Sequence, residues 1–311
     1  MKVITGIKNF KTKNLKRPIV VAIGNFDGVH IAHKKVIKSA ISTARQLRGT
    51  SVVLTFDPHP LKVLKIKEKM PILTSKEHKL SLISEIGPDI CLVANFRKQF
   101  AEKEPEYFTK NFLKQKINAD LIIVGKKFNF GKDKSGDIKF LAKQGEKLGF
   151  KVKLITALKK SGVTISSTFI RNLIKNSEFR KIKSMLGRDF SVAGRVIRGD
   201  GRGRRLGFPT ANIDPGQEVL PAVGVYAVEI KINDKIFKGM LNIGFRPTFY
   251  KNKKIQIMEA SLFNFKRNIY NQKVEVIFKK KIRNEKIFRN IEKLKKQIEK
   301  DKKKAIKILN S

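Results

Sequence analysis

Short, nearly continuous apolar runs alternate with helix-period segments over the first half of this chain. The runs lie at residues 19–23 (IVVAI), 51–56 (SVVLTF), 90–94 (ICLVA), 121–124 (LIIV) and 152–155 (VKLI). A strand that is apolar at nearly every position, and not only at every second one, is covered on both faces. That is the condition of a strand in a parallel sheet with helices on either side. Between the runs, residues 75–85, 105–114 and 139–148 carry helical spacing. From Ala32 onward, Val36, Ile37, Ala40, Ile41 and Ala44 recur on one helical face. This alternation predicts an α/β architecture with a parallel sheet.

After Gly187 the texture changes. The runs at 192–197, 224–232, 238–243, 255–263 and 273–278 alternate or are rich in β-branched residues, with Gly, Asn-Asp and Pro between them. That pattern predicts a compact antiparallel β-barrel. The end of the chain returns to helical spacing, with Phe288, Ile291, Leu294 and Ile298 placed on one face. The 311 residues are enough for two cores. The expected division is an α/β domain over 1–180 and a β domain with a C-terminal helix over 181–311, meeting in the polar stretch 177–187.

The formal net charge is +43, which raises the question of anionic partners. The lysines are scattered and few aromatic residues interleave with them, so solvated faces are the favoured reading and no specific nucleic acid is expected. The one cysteine, Cys91, lies in the apolar stretch DICLVANF. It is expected in the core, and a lone cysteine fits a reducing compartment. No apolar run approaches the ~18 residues of a membrane span, and the N-terminus lacks the pattern of a signal peptide. The expectation is a soluble, cytoplasmic protein with no membrane partner; oligomeric state is not legible.

The chemistry-bearing segments sit between these elements. GNFDGVHIAHKKVI (24–37) leaves the end of an apolar strand and enters a helix. In an open α/β sheet ligands bind at such strand ends, and a helix N-terminus suits phosphate. TFDPHP (55–60), VGKKFNFG (124–131) and ISSTFIR (165–171) are read as following the second, fourth and fifth of the apolar strands, on the same rim. Together they supply imidazoles, hydroxyls and a guanidinium. Such groups suit a nucleoside triphosphate attacked at its α-phosphate, a reaction that needs positioning and charge stabilisation more than a protein nucleophile. In the second half, GRVIRGDGRGRRLGFPTANI (194–213) is rich in glycine. Its spacing is not GxGxxG, Pro209 stands where a helix would start, and there is no GxxxxGK[ST]. A loop of this kind can still wrap phosphate with backbone N–H groups, and Arg202, Arg204 and Arg205 add charge.

In content and order these motifs resemble the bacterial bifunctional riboflavin kinase/FMN adenylyltransferase (FAD synthetase) family, over about residues 16–301. The first half is also similar to other nucleotidyltransferases with a His-x-Gly-His signature. The resemblance implies a Rossmann-like nucleotidyltransferase domain in which His30 and His33 hold the ATP phosphates and stabilise the transition state. Gly24, Asn25, Phe26 and Asp27 would back the adenine nucleotide. Ser166, Thr168 and Arg171 would hold the phosphates from the far side. In the second half, GFPTAN (207–212), GVYA (224–227), NIGFRPTF (242–249) and IMEASLFNF (257–265) match the riboflavin kinase module. There the resemblance places ATP at Gly207, Pro209, Thr210 and Asn212, and Mg²⁺ at Thr210 and Asn212. Glu259 would accept the proton of the ribityl hydroxyl. The chain departs from the family pattern at Ala32 (glycine between the histidines), Lys127 (an acid or amide), Ser261 (His), Asn264 (Asp) and Ile269-Tyr270-Asn271 (LYG). The implied function is phosphorylation of riboflavin to FMN and adenylyl transfer from ATP to FMN, giving FAD. Two other readings stay open at this point: a riboflavin kinase with an inactive first domain, and a basic nucleic-acid-binding protein on a nucleotidyltransferase fold.

Overall fold

A computed structural model describes residues 1–64, 71–199, 207–247 and 254–310. The chain divides into two units. One comprises Met1–Met70 with Lys76–Ser167, and the other Pro71–Ser75 with Thr168–Ser311.

The first unit is built on a parallel sheet of β1 (Lys2–Thr5), β2 (Ile19–Ile23), β3 (Thr50–Asp57), β4 (Ile90–Asn95), β5 (Leu121–Gly125) and β6 (Lys151–Ile155), in the order β1-β4-β3-β2-β5-β6. The apolar runs at 19–23, 51–56, 90–94 and 121–124 have the two-sided burial they predict. The run at 152–155 does not, because β6 is an edge strand with Lys153 and Leu154 exposed and only Ile155 buried. Ile19, Val21 and Ile23 of β2 pack to one side with Phe108, Phe112 and Leu141. Val20 and Ala22 pack to the other, against Val36, Ile37, Ala40, Ile41 and Ala44 of helix α1 (Ile31–Gln46). Leu82 and Ile83 of α3 (Lys76–Ser84) join that second layer, and so does Cys91, whose thiol burial pushes up to about 12.

The remaining helices of this unit are α2 (Pro60–Val63), α4 (Lys98–Ala101), α5 (Pro105–Tyr107) and α6 (Ile138–Leu148). The segment predicted as one helix over 105–114 is a single α-turn, α5, that widens into a π-helix over Phe108–Lys116. The segment 165–171 does not follow β6 directly. A two-stranded hairpin, β7 (Lys159–Lys160) and β8 (Val163–Thr164), intervenes before α7 (Ser167–Lys175).

In the second unit, α8 (Phe179–Leu186) leads into a closed antiparallel barrel of β9 (Phe190–Ile197), β10 (Ala211–Asp214), β11 (Gly224–Ile232), β12 (Lys235–Pro247), β13 (Lys254–Leu262) and β14 (Lys273–Arg283). The barrel closes in the order β10-β13-β12-β11-β14-β9. Phe190, Tyr226 and Phe278 pack together in its core, with Phe179 against them. The last helix, α9 (Ile291–Asn310), covers Ala227 and Met240 with Ile298, Ala305, Ile308 and Leu309. Phe288 precedes it and Ile291 is exposed, so the docked stripe lies further along than the spacing predicted. The segment Pro71–Ser75 also belongs here. Ile72 bridges to Glu218, and the Glu218 carboxylate accepts from the N–H groups of Ser75 (2.6 Å) and Ala193 (2.9 Å).

Candidate active sites

The loop between β2 and α1 is tightly wound. Phe26, Gly28 and Val29 all have positive φ, at 48°, 84° and 41°. For Val29, β-branched and fully buried, that is strained backbone, worth of order 1–3 kcal/mol. Gly24 leaves room for the Phe26 ring, which lies 2.9 Å from where a Cβ would stand. Phe26 itself is only 1 % exposed and meets His33 edge-on at 5.4 Å. It therefore supports the loop from within. Asp27 is buried, its carbonyl accepting from the Ser167 hydroxyl at 2.9 Å, whereas Asn25 is exposed.

His30 caps α1. Its Nδ1 accepts from the backbone N–H of His33 at 3.3 Å, so in the neutral ring Nε2 carries the hydrogen. The His30 and His33 rings stack at 3.5 Å. His33 Nδ1 is shut from solvent with no hydrogen-bond partner among the described residues. Burial first, then the neighbouring His30 and Lys79, hold the His33 imidazole well below its ordinary value, so it is uncharged at neutral pH. The N-terminus of α1, with the two stacked imidazoles in its first turn, is a place that suits an anion.

Lys79, which no sequence signal marked, lies beneath this loop. It is 6 % exposed, and burial depresses its basicity against the opposing pull of Asp27 and Asp57. Of the other motif residues, Lys127 is exposed in the turn after β5. Ser166 is half-buried just before α7, and Thr168 is exposed on that helix. Arg171 is buried and donates from Nε to the Pro71 carbonyl at 2.9 Å, within the second unit.

The barrel gathers its polar residues on one rung. Asn212 of β10 pairs with Glu259 of β13, and Glu259 pairs with Asn242 of β12. Their neighbours Ile213, Met258, Ala260, Leu241 and Ile243 are buried, so alternation turns Asn212, Glu259 and Asn242 together to the opposite face. The Asn212 amide is seated over Gly199, where a Cβ would fall 1.9 Å from its nitrogen. The Glu285 carboxylate covers Gly244 in the same way, 2.9 Å from a notional Cβ. Gly207 takes a positive φ of 85°, and Pro209 and Thr210 are exposed ahead of β10. Arg202, Arg204 and Arg205, and the end of the NIGFRPTF motif, lie outside the described residues. The sequence reading gave no role to Asn242, although it opens the NIGFRPTF motif, and did not mark Glu285; register brings the first beside Glu259.

With this geometry in place, the comparisons are specific. Residues 12–169 match the FAD synthetase family and residues 186–309 the riboflavin kinase family. A protein named bifunctional riboflavin kinase/FMN adenylyltransferase from Buchnera aphidicola subsp. Schizaphis graminum is 40 % identical over 303 residues, covering 97 % of this chain and 96 % of its own. One of the same name from Bacillus subtilis is 35 % identical, covering 94 % and 93 %. A solved structure described as a macrolide-efflux protein from Streptococcus pneumoniae superposes with a TM-score of 0.84 at 26 % identity, covering 97 % of each chain. No described helix here is long and apolar enough to cross a membrane. The two matches account for both halves of the chain in order, and the chain belongs to the bifunctional riboflavin kinase/FMN adenylyltransferase family.

Proposed function

We propose that the barrel transfers the γ-phosphoryl group of ATP to the 5′-hydroxyl of riboflavin, giving FMN. The parallel-sheet unit then transfers AMP from ATP to the FMN phosphate, giving FAD and pyrophosphate. The observation that carries this reading is the agreement of the two family matches with two built clusters: the stacked His30–His33 pair in one unit and the Asn212–Glu259–Asn242 rung in the other. Neither the single-activity reading nor the nucleic-acid reading has an observation of this kind behind it. We assign the two activities to residues 1–180 and 181–311 and the reaction to the cytoplasm.

In adenylyl transfer an FMN phosphate oxygen attacks the α-phosphorus, the bond from Pα to the bridging oxygen breaks, and pyrophosphate leaves. Two imidazoles stacked at 3.5 Å do not both carry charge cheaply. His33 is held neutral in the free protein, and an arriving triphosphate favours a protonated imidazole beside it. The pair then supplies hydrogen bonds and at most one charge where negative charge develops. Asn25 is the exposed loop residue on the nucleotide side, while Gly24, Phe26 and Asp27 shape the loop. Ser166, Thr168 and Arg171 are assigned to phosphate on the family resemblance.

In the kinase, Glu259 accepts the ribityl hydroxyl proton as that oxygen attacks the γ-phosphorus and ADP leaves. Gly207 and Pro209 shape the approach to the nucleotide. The Thr210 hydroxyl and Asn212 amide oxygen are hard, neutral donors. They fit Mg²⁺, which takes few protein ligands when phosphate oxygens supply the rest. Once bound, that ion neutralises phosphate charge. The test is a double dissociation. Glu259→Gln lowers FMN formation by ~10²–10⁴-fold and leaves FAD formation from supplied FMN within twofold. His33→Ala does the reverse, lowering FAD formation more than tenfold. Equal loss of both activities in either variant contradicts the assignment.

A further inference from the structure

Lys79 sits in the middle of α3, and its ammonium is delivered to the base of the β2–α1 loop. Nζ donates to the Asn25 carbonyl (3.3 Å), the Thr55 hydroxyl (3.2 Å) and the Phe56 carbonyl (3.1 Å). Thr55 Oγ1 itself donates to the Asn25 carbonyl at 3.1 Å. All three ammonium hydrogens are thus committed to neutral acceptors. The Asp27 and Asp57 carboxylates favour the charge only through space, and desolvation outweighs them. A buried cation so placed is a poor stability device, since an apolar side chain would fill the space without desolvating a charge. What the cation does accomplish is geometric. It joins Asn25, the residue just before the positive-φ segment 26–29, to the end of β3. Backbone held at positive φ in a β-branched residue persists only where its surroundings over-determine it. Here the loop is held by this tie at Asn25, by Ser167 at Asp27 and by the Val29 N–H to the Phe26 carbonyl at 3.1 Å. The His30–His33 stack begins directly after it.

We propose that Lys79 is a positioning residue for adenylyl transfer, clamping the Asn25 carbonyl to the end of β3 so that the His30–His33 pair is held where the phosphates are received. The proposal rests on the adenylyltransferase reading above and adds to it a residue outside the phosphate-binding loop. Misplacement of reacting groups by about 1 Å costs ~10²-fold in rate, so loss of the clamp should appear in kcat.

Full-length wild type is compared with Lys79→Met, which keeps the aliphatic stem and removes the ammonium. Rates are measured at saturating ATP and FMN, at a temperature where circular dichroism shows the native sheet. The expected result is a more than tenfold fall in kcat for FAD formation, a KM for FMN within threefold of wild type, and unchanged FMN formation from riboflavin. By hydrogen exchange with mass spectrometry, peptides covering 24–33 exchange at least tenfold faster, while those of 50–57 and 90–95 do not change. A kcat within twofold of wild type, an unchanged loop, or exchange accelerated equally in the core strands overturns the proposal. If Lys79→Met does not fold, Thr55→Val removes the shared hydroxyl at constant shape. Faster loop exchange with kcat reduced at least threefold then supports the clamp, and wild-type values for both overturn it. A wild-type protein that makes FMN but no FAD contradicts the adenylyltransferase reading instead; the exchange measurement needs no turnover and still decides the role of Lys79.

Discussion

His33 is kept uncharged by its burial, by the His30 ring stacked on it and by the Lys79 charge below, in that order. The consequence for stability has a definite sign. In the unfolded chain the imidazole takes up a proton below its ordinary value of ~6.5, whereas in the folded chain it does so only at a much lower pH. Its contribution is therefore intact above ~6.5 and is lost as pH falls toward the lowered folded value. The melting temperature of the parallel-sheet unit should fall between pH 7 and pH 5, and His33→Asn should flatten that fall; identical pH profiles in the two proteins would contradict the burial argument. Ala32, half-buried between the histidines, stands where the family has glycine. Ala32→Gly should keep or raise FAD formation in a flavin assay, at a helix-propensity cost of about 0.5–1 kcal/mol. Loss of activity in that variant would show that the methyl group is part of the fit. His30, His33, Thr210 and Glu259 were legible through the motifs that carry the family resemblance, GNFDGVHIAH, GFPTAN and IMEASLFNF. Lys79 was not legible, because a lysine in SKEHKLSLIS reads as a solvated helix face until the tertiary packing turns it inward.

At the scale of elements, strong periodicity was legible and short segments were not. The buried face of α1 is the one its spacing predicts. β1 and β10 are four residues each, too short to show a period, yet β10 carries Asn212 to the polar rung beside Glu259. The start of α9 was misplaced because Phe288 continues the apolar spacing without continuing the helix. The helix is fastened by a buried pair, Arg283 Nε to Asp301 Oδ2 at 2.8 Å, with Gln297 donating to the other carboxylate oxygen at 2.8 Å. Asp301→Ala leaves the Arg283 guanidinium largely buried and unpaired, a change that typically costs about 3–5 kcal/mol. Thermal denaturation should show the barrel unit melting several degrees lower, with the parallel-sheet unit unaffected. An unchanged barrel transition would mean that α9 is held by its apolar stripe alone.

Over the whole molecule, the change in texture after Gly187 marked two architectures, and two family matches of different kind cover them. What the sequence could not reveal is that Pro71–Ser75, far from the barrel in the chain, groups with it through Ile72 and Glu218. Such pairing is non-local and leaves no periodic trace. A fragment from Met185 to Ser311 retains every strand of the barrel and the Asn212–Glu259–Asn242 rung but loses that segment. It should still phosphorylate riboflavin, make no FAD, and melt below the barrel of the full-length protein. A fragment that folds without kinase activity would count against the rung as a self-sufficient site. The most direct measurement of the central claim is to incubate the pure full-length protein with riboflavin, Mg²⁺ and excess ATP and separate the flavins by chromatography over time. The account predicts that riboflavin falls, FMN rises first, and FAD follows with release of pyrophosphate; FMN accumulating without FAD, or no conversion of riboflavin, would contradict it.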